Sequence, residues 1–230
     1  MGITEESEEK CEELQLLFWR VMLEVPRGTP KVMLTAETNC QKMKQRIWKE
    51  KLLLARSITN KEGSLAQAIY QEQVEMGWPG LSAECKDICE KIGLKNSQGA
   101  VSDKQAIEEH IYYHNYKEMK EDMESYTKLA DIKHEDFREI QKYMEFKSVA
   151  KVRMAFRIRS KMVKTIKLNF KNMNRDLNCD QCEMMEEESQ SHAMSCQGWE
   201  KERRGLDLEN IEDAVQFFTR ILQEKGRKEQ

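Results

Sequence analysis

Proline is scarce, with three in 230 residues, and aromatic side chains make up only 7% of the chain. Few positions therefore forbid a continuing helix, and few large rings are available to fill a deep core. With 34% charged residues against 39% hydrophobic ones, the composition points to a mainly α protein with a lean interior. The first residues, MGITEESEEK, lack the basic start and apolar centre of a secretory signal. Met1-Gly2 is not followed by the Ser or Thr that myristoylation wants, since Glu6 holds that position. No run approaches the roughly 20 apolar residues of a membrane span, and even LQLLFWRVML is broken by Arg20. These absences predict an intracellular protein of the nucleus or cytoplasm with no membrane partner. In that reducing setting the seven cysteines read as thiols and metal ligands, not as a disulfide framework. The net charge of -3 names no partner by itself, but the charge is unevenly spread.

Helical periodicity begins early. Leu14, Leu17, Phe18, Val21, Met22 and Val25 recur at helical spacing, and Pro26 ends the pattern. After a turn at VPRGTPK, a second long helix is expected from about Ala36 to Ile58 and a third from about Leu65 to Val74, with NKEGS as the break between them. Trp78 in GWPG is expected to anchor a core, and a short helix through Leu81, Cys85, Ile88 and Cys89 closes at Gly93. KNSQGAVSDK, Lys95 to Lys104, has the composition of a linker, and Ser102 with Gln105 forms a capping-box pattern. The predicted organisation is a helical region at 1–94, a linker at 95–104, a helical region ending in a basic helix at 105–175, a zinc knuckle at 176–198, and a C-terminal amphipathic helix with its tail at 199–230. That helix runs from about Leu208 to Glu224, with Ile211, Val215, Phe218 and Leu222 in register. No internal repeat is visible.

Three cysteines and one histidine crowd into CDQCEMMEEESQSHAMSC. Cys179 and Cys182 are separated by two residues, which lets both thiolates turn back on one ion. His192 and Cys196 are four apart, so one helical turn aligns them. The loop between the pairs, EMMEEESQS, is mostly acidic and polar and offers little apolar material, so metal binding would supply much of the folding free energy of the segment. Zinc is the expected cofactor, and its role is expected to be structural, because four protein ligands leave no site for an activated water. A deaminase is excluded, since the His-x-Glu and Pro-Cys-x-x-Cys that its zinc chemistry needs are missing.

The preceding stretch, Phe146 to Arg175, contains ten cations and no acid. Lys151, Arg153, Arg157, Arg159, Lys161, Lys164, Lys167 and Lys171 are the candidate nucleic-acid contacts within it. Val149, Val152, Phe156, Met162 and Ile166 fit an apolar stripe, which predicts a helix docked on one side and cationic on the other. RNA or DNA, held through its phosphates, is the expected partner. The alternative is a solvated basic face that pairs with the acidic loop after Cys182. His110 with His114 and Cys85 with Cys89 are also four apart, but neither pair has a second pair to complete a ligand set. Packing or exposure is the expected fate of both.

FKSVAKVRMAFRIRSKMVKTIKLNFK followed by NCDQCEMMEEESQSHAMSC and an acidic amphipathic helix resembles the C-terminal region of non-LTR retrotransposon reverse transcriptases. VMLEVPRGTPKVMLTAET resembles the segment after the polymerase palm of that family, and IYQEQVEMGWPGLSAECKDICEKIGL the helical stretch between palm and knuckle. The resemblance implies a tail that holds element RNA and target DNA, with Cys179, Cys182, His192 and Cys196 as the knuckle ligands. It does not bring polymerisation with it, because no Asp-Asp pair exists in the sequence to hold two catalytic metal ions. The expected function is a non-enzymatic, zinc-stapled nucleic-acid-binding tail with no small-molecule substrate. The alternative is a helical fragment that packs on a protein partner or a truncated remnant with no activity.

Overall fold

The computed structural model describes residues 5–94, 103–163 and 178–228, except 183, 185, 187 and 188. The protein is mainly α, and no β-strand is present among the described residues. The chain divides into two interleaved compact units, Met1–Leu17 with Cys40–Met123 and Phe18–Asn39 with Glu124–Gln230. The predicted linker at 95–104 lies outside the described residues except for its last two, 103 and 104. Ile107 and Ile111, which follow that linker, share a buried cluster with Trp48, Leu52 and Ile88.

In the first unit, α3 (Met43–Thr59), α4 (Leu65–Met76), α5 (Leu81–Ile92) and α6 (Lys104–Glu124) surround that cluster. Trp48, Leu52 and Ala55 of α3 and Cys85, Ile88, Cys89 and Ile92 of α5 are buried at helical spacing. Each fully buried aliphatic side chain stabilises the unit by about 1.5–3 kcal/mol. Local chemistry sets the ends. Ser64 caps α4 by accepting the Gln67 N–H at 3.2 Å, and Gly77 and Gly93 close α4 and α5 in left-handed conformation. Glu12 of α1 (Glu5–Leu23) accepts the first N–H of α3, from Met43, at 2.6 Å. Trp78 is no core anchor: the indole is 49% exposed, because Gly77 and Gly80 turn GWPG outward beside the α4–α5 groove. The stripe Leu14, Leu17, Phe18, Val21 and Met22 on α1 is likewise 47–66% exposed, while Leu16 and Leu23 are buried.

One long helix was expected from Ala36 to Ile58, but the chain makes α2 (Lys31–Glu37) and then α3. Thr38 Oγ1 bonds back to the Leu34 carbonyl at 2.6 Å, and Asn39 takes a positive φ of 47°. Asparagine tolerates that conformation better than most residues, so the helix stops there.

In the second unit, α7 (Val149–Arg159) packs on α10 (Ile211–Lys228). Met154, Ala155, Phe156 and Ile158 of α7 and Ala214, Val215, Phe217, Phe218 and Ile221 of α10 are buried. Of the stripe expected on α7, Val149 is exposed, Phe156 is buried, and Ile166 lies outside the described residues. The basic helix also ends at Arg159, earlier than its composition implies. Ser160 Oγ bonds back to the Phe156 carbonyl at 2.7 Å. Lys161 then adopts φ 57° and Met162 N–H reaches the Arg157 carbonyl at 2.7 Å, a left-handed C-terminal cap. Short helices α8 (Gln190–Ser195) and α9 (Glu200–Arg203) lie between α7 and α10 in sequence.

Candidate metal centre

The turn at Cys179–Cys182 and the helix α8 deliver the two ligand pairs from opposite ends of an acidic loop. Ser189 caps α8 by accepting the His192 N–H at 3.0 Å. The cap lies three residues before the histidine, and Cys196 follows His192 by one turn at the C-terminal end of the helix. Gln190 Nε2 donates to the Ile158 carbonyl at 2.8 Å, which ties α8 to the end of α7. Arg203 Nη1 donates to the Cys196 carbonyl at 2.6 Å. Trp199 is buried just beyond it.

One ligand atom from each of Cys179, Cys182, His192 and Cys196 lies within 4.8 Å of all the others. Cys179 Sγ and Cys196 Sγ are 3.7 Å apart, and Cys182 Sγ is 3.4 Å from His192 Nε2. A tetrahedron with Zn–S bonds of about 2.3 Å has S···S edges of about 3.8 Å. The spacing fits a common metal ion, and the four side chains can hold one. Cys179, His192 and Cys196 are buried, while Cys182 is partly exposed. Burial pushes the Cys179 thiol up to about 11. A backbone N–H from Met184 instead draws the Cys182 thiol below its ordinary value. A cation among these groups would favour the thiolate at every one of them.

Compared with known protein families, curated proteins and solved structures, the chain matches none. Gly198 is a further member of the site that the sequence offered no signal for. A Cβ there would lie 2.0 Å from the Gln181 carbonyl oxygen, inside the Cys-x-x-Cys turn, so only glycine permits this approach.

The predicted nucleic-acid residues fall into three groups. Lys151 is exposed on α7. Arg153 donates to the Met22 carbonyl at 2.9 Å and pairs with Glu24, and Arg157 donates to the Glu24 carbonyl at 2.7 Å. These two side chains cap the C-terminal end of α1. Arg159 joins Glu37 at 2.9 Å to Glu135 at 2.5 Å, and Lys161 pairs with Asp131 at 2.5 Å. Tyr143 donates its hydroxyl to the same Glu37 at 2.5 Å. Burial pushes the Glu37 carboxyl above its ordinary value even against Arg159 and Tyr143. Lys164, Lys167 and Lys171 lie outside the described residues. The acids that meet these cations come from distant positions in the chain, which no local charge pattern reveals.

The other candidate pairs sit in the first unit. Cys85 and Cys89 are buried in its core, and burial pushes the Cys85 thiol up to about 12. His110 Nδ1 is 3.2 Å from the Ile92 carbonyl, and His114 packs tilted on Trp48 with ring centroids 5.7 Å apart. Among the described residues, no helix is long and apolar enough to cross a membrane.

Proposed function

We propose that the chain is a non-enzymatic, zinc-stapled module that binds RNA or DNA through phosphate contacts, as the tail of a retroelement reverse transcriptase would. The observation that carries it is the convergence of Cys179, Cys182, His192 and Cys196 within 4.8 Å. Three thiolates and an imidazole suit zinc better than oxygen-seeking cations. Four protein ligands fill the coordination sphere, which makes the metal a structural staple rather than a source of activated water. The nucleic-acid part is supported by the acid-free run from Phe146 to Arg175 and by the exposed Lys151. Arg153, Arg157, Arg159 and Lys161 are committed to acids of the same chain. Phosphate contact accordingly falls to Lys151, Lys164, Lys167 and Lys171.

Salt dependence tests this division of labour. Four lysine contacts to a single strand predict a slope of log affinity against log salt of about -3, from about -0.7 per contact. Changing Lys151 and Lys164 to Glu should weaken RNA and DNA alike and flatten the slope, since phosphate contacts carry no sequence information. A folded, zinc-loaded protein that binds neither nucleic acid at low salt rejects the binding module.

A second reading, a helical fragment for a protein partner, is favoured by the exposed apolar side chains of α1. It predicts no salt-dependent nucleic-acid binding at all.

A further inference from the structure

We infer that Glu186 is the positioning residue of the metal centre, the side chain that decides which nitrogen of His192 faces the metal. The inference rests on the zinc reading above. Glu186 lies between the two ligand pairs in sequence and touches both of them in space. Its backbone carbonyl accepts the Cys179 N–H at 2.8 Å. Its carboxylate Oε2 lies 2.7 Å from His192 Nδ1.

An ionised carboxylate offers only acceptors, so a hydrogen bond of this length places the ring proton on Nδ1. In the neutral ring that a metal ligand requires, Nε2 then keeps its lone pair. That is the nitrogen 3.4 Å from Cys182 Sγ, on the inner side of the ligand set. A histidine that donates its outer nitrogen to a carboxylate is fixed in tautomer and ring orientation, and it becomes a more basic ligand. Through its backbone the same residue holds the Cys-x-x-Cys turn against the loop. One residue thus couples the two halves of a site whose ligand pairs are otherwise separated by nine mostly polar and acidic residues.

Packing does not explain the arrangement. The Glu186 side chain is 54% exposed, whereas that of His192 is 7% exposed. Removing the carboxylate takes little apolar contact from the unit, so its loss should register on the metal rather than on the fold.

The test uses the full chain with Glu186→Ala, Glu186→Gln and, as a charge control, Glu209→Ala. Zinc affinity is read by competition with a chromophoric chelator, and the His192 tautomer by ring ¹⁵N shifts of the zinc-loaded wild type. Glu186→Ala should lose about 10- to 100-fold in zinc affinity, the range found when such outer partners are removed. Glu186→Gln keeps an acceptor and should lose less, and Glu209→Ala should match the wild type. The wild-type shifts should show Nδ1 protonated and Nε2 bound to metal. Unchanged zinc affinity in Glu186→Ala, or metal on Nδ1 in the wild type, overturns the role of Glu186 and leaves the structural zinc standing. A wild type that takes up no zinc at all rejects the zinc reading and this inference together. The tautomer is measured without any substitution, so a variant that folded poorly would not blunt the test.

Discussion

At the scale of single residues, the candidate metal centre separates the four side chains that could hold an ion from the groups that shape it. Cys182 is held by the turn and faces His192, and no fifth ligand is near it among the described residues. Cys182→Ser should therefore drop zinc content to near zero after dialysis, read by elemental analysis. Cys89→Ser should leave the metal in place, because Cys89 belongs to the buried cluster of the first unit. Release of zinc by Cys89→Ser would mean that the ligands are misassigned. Gly198 acts differently. An added methyl would meet the Gln181 carbonyl at 2.0 Å, a backbone atom that cannot swing aside. Gly198→Ala should cost about 1–3 kcal/mol, the usual range for overpacking, and should speed zinc loss to a chelator. A variant with wild-type zinc retention and an unchanged unfolding midpoint would show that the turn relaxes at no cost.

At the scale of elements, α5 shows how a helical pattern and an ionisable side chain combine. Cys85 and Cys89 lie on its buried face at the spacing of one turn, and Tyr70 of α4 is buried beside them. Burial pushes both the Cys85 thiol and the Tyr70 hydroxyl up to about 12. In the unfolded chain the same thiol titrates at its ordinary value of 9.0. Between those values the unfolded chain releases a proton that the folded chain keeps. The contribution of Cys85 to stability is thus complete below pH 9 and falls as the pH rises toward 12. The slope per group is about 1.4 kcal/mol per pH unit. Denaturant midpoints measured from pH 8 to 11 should fall more steeply for the wild type than for Cys85→Ala. Parallel curves would show that the thiol is not shielded. The basic helix α7 carries a related lesson, since its charge is largely internal: Arg153 and Arg157 hold the end of α1, and Arg159 neutralises the buried Glu37. Removing Arg159 would leave the buried Glu37 charge uncompensated, so that arginine serves the fold first.

At the scale of the whole molecule, the proposal of a reverse-transcriptase tail without polymerase activity makes a prediction of its own. The polymerases named in the resemblance hold their catalytic ions with an Asp-Asp pair among the ligands, and the sequence contains no Asp-Asp. Primer extension with magnesium or manganese should give no template-dependent incorporation above a heat-killed control. Incorporation that survives further purification would overturn the non-enzymatic reading.

The sequence by itself determined the helical class, the ends of α4 and α5, and the four candidate ligands. Each is a local property: a period of 3.6 residues, a Ser64 or Gly93 at a helix end, or a Cys-x-x-Cys and a His-x-x-x-Cys that one turn of chain can close. Tertiary structure alone decided the rest. Sequence periodicity marked the apolar stripe of α1, but exposure depends on what packs against it, and there Leu14 and Phe18 remain in solvent. Nothing distinguishes Glu186 within a run of acids until the loop folds back on His192. The basic run looked free of counter-charge because Glu24, Glu37 and Asp131 are remote in sequence, and only folding brings them to Arg153, Arg159 and Lys161. Spacing fixes what neighbours along the chain can do together, whereas charge pairing and burial are set by residues that meet only in three dimensions.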